Sequence, residues 1–128
     1  MRFISFLILL AALVSALAKT RTKEEIEQLK KWHSECGEDE ETKDLLDKAR
    51  SGVWLDHPKL KHHILCYSKK LGWLNSEGKF NIDETRKNFE KYYDKPQVDK
   101  LMEKCIEEKE TPEKTAIALF KCRQTVLH

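Results

Sequence analysis

Net charge is what this sequence has least of. Lys and Arg total 24 against 22 Asp and Glu, a formal +2 over 128 residues, and so small an excess supplies none of the broad basic field that sequence-independent nucleic-acid binding requires. Glycine and proline are scarce too, at four and three, and no glycine-rich phosphate loop is present. No stretch alternates apolar and polar residues with β-branched enrichment, so strands have little support and the chain reads as all-α. Gly-x-Ser-x-Gly and His-Glu-x-x-His are both missing. With no nucleophile and base, metal set or carboxylate pair at a specific spacing, the chain reads as a non-enzyme with no catalytic residue and no cofactor.

Long apolar runs are equally few. The one candidate extends from Phe3 to Val14, interrupted by Ser5, and is followed by Ser15-Ala16-Leu17-Ala18 and the charged segment Lys19-Thr20-Arg21-Thr22-Lys23. A spanning helix needs about 20 apolar residues, so membrane insertion is not expected. Arg2 ahead of the run and an Ala-x-Ala end behind it have the three-part form of a secretory signal peptide. Cleavage after Ala18 is the expectation, leaving residues 19–128 as one secreted domain. Loss of Arg2 brings the charged residues to 23 basic against 22 acidic, nearly neutral.

What the sequence does hold is large burial units and an even set of cysteines. Three Trp, three Tyr and five Phe argue against disorder despite 36% charged residues. In an oxidising compartment Cys36, Cys66, Cys105 and Cys122 form a disulfide framework. Three pairings are possible and spacing selects none of them.

Helical periodicity covers most of the remainder. Thr22 with Glu25 opens a first helix to Cys36, placing Ile26, Leu29, Trp32 and His33 along one side, and Gly37 ends it. A second spans residues 40–50 with Leu45, Leu46 and Ala49 inward and stops at Ser51-Gly52. The connector Gly-Val-Trp-Leu-Asp-His leads to Pro58, the start of a third helix capped by Asp56 or His57 and showing Leu60, Ile64, Tyr67 and Leu71. Asn75-Ser76-Glu77-Gly78 is a turn. A fourth helix over residues 82–93 shows Ile82, Phe89 and Tyr92 or Tyr93. A fifth begins near Pro96 with Val98, Leu101, Met102, Cys105 and Ile106. The sixth starts at Thr111-Pro112 and carries Ala116, Ile117, Leu119, Phe120 and Cys122. The acidic residues read as a solvated face, balanced by pairs such as Glu27 with Lys31, Asp44 with Lys48 and Asp83 with Lys87.

His57, His62 and His63 lie close together, and His62 stands one helical turn before Cys66. A His and a Cys at that spacing can both bind zinc. An oxidised Cys66 removes the thiolate and no Cys-x-x-Cys completes a site, so no metal is expected. Trp54, Leu55, Trp73, Leu74, Phe80, Phe89, Met102, Ile117 and Phe120 read by default as ordinary core. Short helices tied by disulfides can also leave an apolar cavity, and periodicity does not separate the two.

The cysteine order and its flanks, above all Asp56-His57-Pro58-Lys59-Leu60-Lys61, the segment from Cys66 through Lys69-Lys70-Leu71-Gly72-Trp73-Leu74-Asn75-Ser76-Glu77-Gly78-Lys79-Phe80, and the stretch from Cys105 to Cys122, resemble the insect odorant-binding protein family in its four-cysteine form. The chain is similar to the beetle subgroup that includes haemolymph and accessory-gland carriers. Matching Cys66 to the family's third cysteine puts His62 at the second, and matching Cys122 to the sixth puts Glu113 at the fifth. Both missing cysteines belong to one disulfide of the family.

The resemblance implies a compact six-helix bundle, pairing of Cys36 with Cys66 and of Cys105 with Cys122, and an internal cavity for small hydrophobic ligands such as odorants, pheromones, fatty acids or terpenoids. It implies Trp54, Trp73, Leu74, Phe89, Met102, Ile117 and Phe120 as the wall, a monomer or weak dimer, and a chemosensory receptor as possible protein partner. No cation is evident in that set, so shape and apolar area are expected to govern affinity. In the vacant bridge His62 and Glu113 are expected either to face each other as a pair or to stand as two exposed side chains without contact. The rival reading is a secreted helical signalling or defence protein with a filled core, but signalling bundles use four longer helices, whereas the Gly-Val-Trp-Leu-Asp-His connector, the Asn75 to Gly78 turn, Pro96 and Pro112 cut this chain into six.

Overall fold

Each helix begins where a side chain can accept the amide protons that the first turn leaves unpaired. In the computed structural model, which describes residues 20–127, α1 (Lys23–Glu35) opens on Thr22, whose hydroxyl accepts from Glu25 N at 3.1 Å. Asp39 does the same for α2 (Glu40–Arg50) through Thr42 N at 2.7 Å. Between the two caps considered for α3 (Pro58–Lys70), the imidazole of His57 is the one used, accepting from Lys59 N at 3.1 Å. Asn81 caps α4 (Ile82–Glu90), Asp94 caps α5 (Lys95–Lys104) and Thr111 caps α6 (Pro112–Val126). The proposed leader, residues 1–18, lies outside the described residues.

The fourth helix is shorter than its apolar spacing suggests. Asp94 must be extended to cap α5, at ψ 169°, so the chain leaves the helix at Lys91 and crosses Tyr92 and Tyr93 in a turn whose amides both bond Phe89 O at 3.0 Å. On the surface Lys48 pairs with Asp44 at 3.0 Å, whereas Lys31 reaches forward to Glu35 at 4.0 Å.

Packing is organised by α3. It meets α6 over the most extensive helix interface and also touches α1 and α2, while α5 packs against both α4 and α6. Leu60, Ile64 and Tyr67 of α3 meet a core that includes Phe89, Val98, Leu101, Ala116 and Leu119, all buried. The disulfides are Cys36–Cys66, joining the end of α1 to α3, and Cys105–Cys122, joining the end of α5 to α6. Cα separations of 5.5 and 5.6 Å are ordinary for such bridges.

The loop from Leu71 to Asn81 is tied to the helices by buried side chains and hydrogen bonds. Trp73 and Leu74 are buried in it. Thr85 Oγ1 donates to Trp73 O and Asn88 Nδ2 to Gly72 O, both at 2.9 Å. Gly78, at φ +75°, presses on the first turn of α6 so closely that a Cβ would sit 2.4 Å from Pro112 Cβ. Gly52, at φ +96°, has nothing within 4 Å. Gly52→Ala should therefore lose only the roughly 1 to 2 kcal/mol of a left-handed non-glycine residue, and Gly78→Ala clearly more, because a proline ring cannot step aside. Equal shifts in denaturation midpoint for the two variants would show that the loop and α6 part freely.

Candidate functional site

Between α1, α2, α3, the Tyr92-Tyr93 turn and the end of α6 lies a half-enclosed cavity of about 460 Å³, within the range that small-molecule sites occupy. Trp73, Phe120 and Tyr67 supply its aromatic wall, with Trp73 and Phe120 ring centroids 5.4 Å apart and Tyr67 6.3 Å from Phe120. Leu29, Leu46, Ile64 and Leu71 add aliphatic surface. Alpha-1 contributes no fully buried residue; it lies over the cavity as a cover, with Leu29 and His33 turned to it. A more open depression on its other side shares Arg21, Leu29, His33, Leu46 and Arg50 with the cavity.

Two polar arrangements hold the wall. Gln124 on α6 accepts from Trp54 Nε1 at 2.9 Å and donates to Ala49 O and Arg50 O at 2.9 and 3.0 Å. It thereby fixes the connector indole and the end of α2 against the last helix. Arg123, one residue earlier, lays its guanidinium 5.1 Å from the Phe120 centroid and 5.9 Å from that of Trp73, and donates to Tyr93 Oη at 3.1 Å. Burial pushes the Tyr67 hydroxyl up to about 12 and raises that of Tyr92, so both remain protonated at any physiological pH.

Under α1, His33 Nδ1 and His63 Nε2 are 2.9 Å apart, and His33 stacks on Tyr67 at 4.1 Å. His63 is buried, and its Nδ1 lies beside the Cys36 and Gly37 backbone without reaching hydrogen-bond geometry. One bond between two imidazoles needs a donor and an acceptor, hence at least one neutral ring. Burial, then the neighbouring His63 and Arg50, pushes His33 down to about 4. Burial also lowers His63, with the Cys36 and Gly37 backbone pulling the other way.

The unfolded chain takes up protons near the usual His value of about 6.5. Stability from this pair is therefore fully present above that pH and is lost as the pH falls toward 4. Chemical denaturation should give a lower midpoint at pH 5 than at pH 7.5, still above the carboxylate range, and His63→Gln should reduce the difference without abolishing it, since burial still acts on His33. A wild-type midpoint unchanged across that interval would mean the rings titrate like free imidazoles.

The residues singled out in the sequence are dispersed by the fold. Trp54, Trp73 and Phe120 line the cavity. Leu74 and Phe89 are enclosed in the core, 2% and 0% exposed, because the Trp73 loop and α4 close over them. Met102 packs against that core from α5. Ile117, one turn before Phe120 on α6, packs partly against the core and lines a separate surface depression shared with Trp54, Leu55 and Ala118. Arg21, Arg50 and Arg123 all border the cavity, which corrects the expectation of a site without cations. Arg123, Gln124 and Leu127 continue the Phe120 face at i+3, i+4 and i+7; a reading that stops at Cys122 misses them.

The vacant bridge is not refilled. Among the described residues no ion pair joins His62 to Glu113, His62 being exposed and Glu113 standing in the first turn of α6, where the helix N-terminus favours a carboxylate. Among the described residues there is also no cluster of His, Cys, Asp and Glu able to hold a metal ion, and no helix long and apolar enough to cross a membrane.

Comparison with known proteins adds a family and two relatives. The model of the PBP/GOBP family matches residues 18–125. The B1 protein of Tenebrio molitor is 34% identical over 103 residues, 79% of each chain. The B2 protein of the same beetle is 35% identical over 118 residues, 91% of this chain and 88% of its own. No solved structure gives a significant match.

Proposed function

Because the chain belongs to the PBP/GOBP family, whose members are typically small soluble carriers of odorants and pheromones, we propose that it binds and transports small hydrophobic ligands in the cavity beneath α1, as a secreted carrier and not an enzyme. The observation that carries this reading is the half-enclosed space of about 460 Å³ walled by Trp73, Phe120 and Tyr67. A signalling or defence protein calls for a filled core, and the cavity supports the carrier instead. The pairing of all four cysteines supports an oxidising compartment. Residues 1–18 are the proposed leader, removed on export.

The test is displacement of a neutral, environment-sensitive apolar dye by long-chain alcohols, acids and terpenoids. Micromolar dissociation constants, about 8 kcal/mol, are the expected range. Intrinsic fluorescence should change as well, since Trp54 and Trp73 border the cavity. If no ligand displaces the dye and the emission stays fixed, the cavity is not a binding site.

A further inference from the structure

Among the described residues, the polar lining of the cavity is rich in donors and carries no carboxylate, its side-chain acceptors being the Gln97 and Gln124 amides, the His33 ring and the tyrosine hydroxyls. Arg123, Tyr67, Tyr92, Tyr93 and Trp73 all carry N–H or O–H groups. Two of these nitrogens, Arg123 Nε and Trp73 Nε1, are unpartnered but closed off by protein, so a ligand meets the other donors of the lining.

Arg123 is distinct among the three cavity arginines. Arg50 is already paired with Asp47 at 2.9 Å, and Arg21 lies exposed at the rim, 5.5 Å from the Tyr92 ring centroid. Arg123 is half-buried on α6, and among the described residues it has no carboxylate within ion-pair distance; its neighbours are the Phe120 and Trp73 rings and the Tyr93 hydroxyl. A guanidinium does not lose its proton, so ring contacts alone leave its charge only partly compensated. Tyr93 accepts from Arg123 and keeps its own hydroxyl proton as a donor.

On the carrier reading above, we propose that the cavity selects apolar chains that end in a carboxylate, with Arg123 as the charged anchor, Tyr93 as a second donor and the Trp73, Phe120 and Tyr67 rings along the chain. A carboxylate has two acceptor oxygens and fits the planar donor edge of a guanidinium. An alcohol offers one acceptor and brings a donor with it, and an ester carries no charge. The head group thus decides among chains of equal length, which apolar area alone cannot do.

The experiment is dye displacement from the full protein by dodecanoic acid, dodecanol and methyl dodecanoate at neutral pH. The acid should bind about ten- to a hundredfold more tightly than the ester, the range of a charge-assisted hydrogen bond. Arg123→Gln should bring the ratio of acid to ester affinity down to about one, and that ratio is the readout, because loss of the Phe120 and Trp73 contacts can also weaken the ester. Tyr93→Phe should remove a smaller part of the preference. Equal binding of acid and ester by the wild-type protein overturns the proposal while leaving the carrier reading intact, and does so even if a variant fails to fold. Uniform weakening of all three ligands by Arg123→Gln also overturns it, showing a purely structural arginine. Failure of all three to displace the dye removes both the carrier reading and this inference.

Discussion

Phe89→Ala should lower stability by about 3 to 5 kcal/mol, the range for truncating an enclosed aromatic. The ring is 0% exposed and meets Trp73 edge-on at 5.1 Å, with Tyr93 at 6.5 Å. It is the one large apolar side chain that α4 buries, its other buried residue being Thr85, which donates to the Trp73 carbonyl. Removing the ring therefore takes away most of what attaches α4 and undercuts the indole that forms the cavity wall. Denaturant unfolding followed by circular dichroism should show the full drop. Trp54→Ala, at a half-buried rim position, should instead weaken ligand binding more than folding. A Phe89→Ala variant of near wild-type stability that no longer binds ligand would place Phe89 in the wall and not in the core.

That contrast also marks how far the sequence was legible. Helix starts are local: Thr22, Thr111 and the Pro that follows Thr111 announce themselves because a cap and its amide partner are three residues apart. The end of α4 was not legible, since Tyr92 and Tyr93 continue an apolar spacing while Asp94, needed elsewhere as a cap, forces the turn. The cavity lies beyond periodicity altogether. Trp73 and Leu74 are adjacent, and both are buried, yet only Trp73 borders the open space, because the loop carbonyl is tied to Thr85 and sets which side chain turns inward. Phe120 and Ile117 stand three residues apart on one helix and face different depressions. Arg123 and Gln124 carry ordinary surface side chains until a partner 30 and 75 residues away, Tyr93 and Ala49, gives them a role. Such partnerships are tertiary, and one sequence without its fold does not display them.

The largest functional consequence of a single covalent change should come from removing Cys36–Cys66. The bond closes a loop of sequence separation 30, for which the chain-entropy account gives about 3 to 4 kcal/mol. Cys105–Cys122, with a separation of 17, should be worth slightly less. The two differ more in what they hold. The shorter loop joins α5, which buries Val98 and Leu101, to α6, which buries four residues of its own. The longer one tethers α1, which has no fully buried residue before Cys36 and is otherwise held by the partly buried Leu29 and Trp32, the His33 contacts with His63 and Tyr67, and the exposed Glu35–Lys70 pair at 2.7 Å. Exposed pairs contribute under about 1 kcal/mol, so they do not replace the bridge. In a Cys36→Ala, Cys66→Ala variant the amides of α1 should exchange far faster than those of α3 and α6, and ligand affinity should fall as Leu29 and His33 leave the cavity mouth. The corresponding Cys105→Ala, Cys122→Ala variant should lose stability with α1 still protected. If α1 keeps its protection and the ligand its affinity without Cys36–Cys66, the cover is held by packing and not by the disulfide.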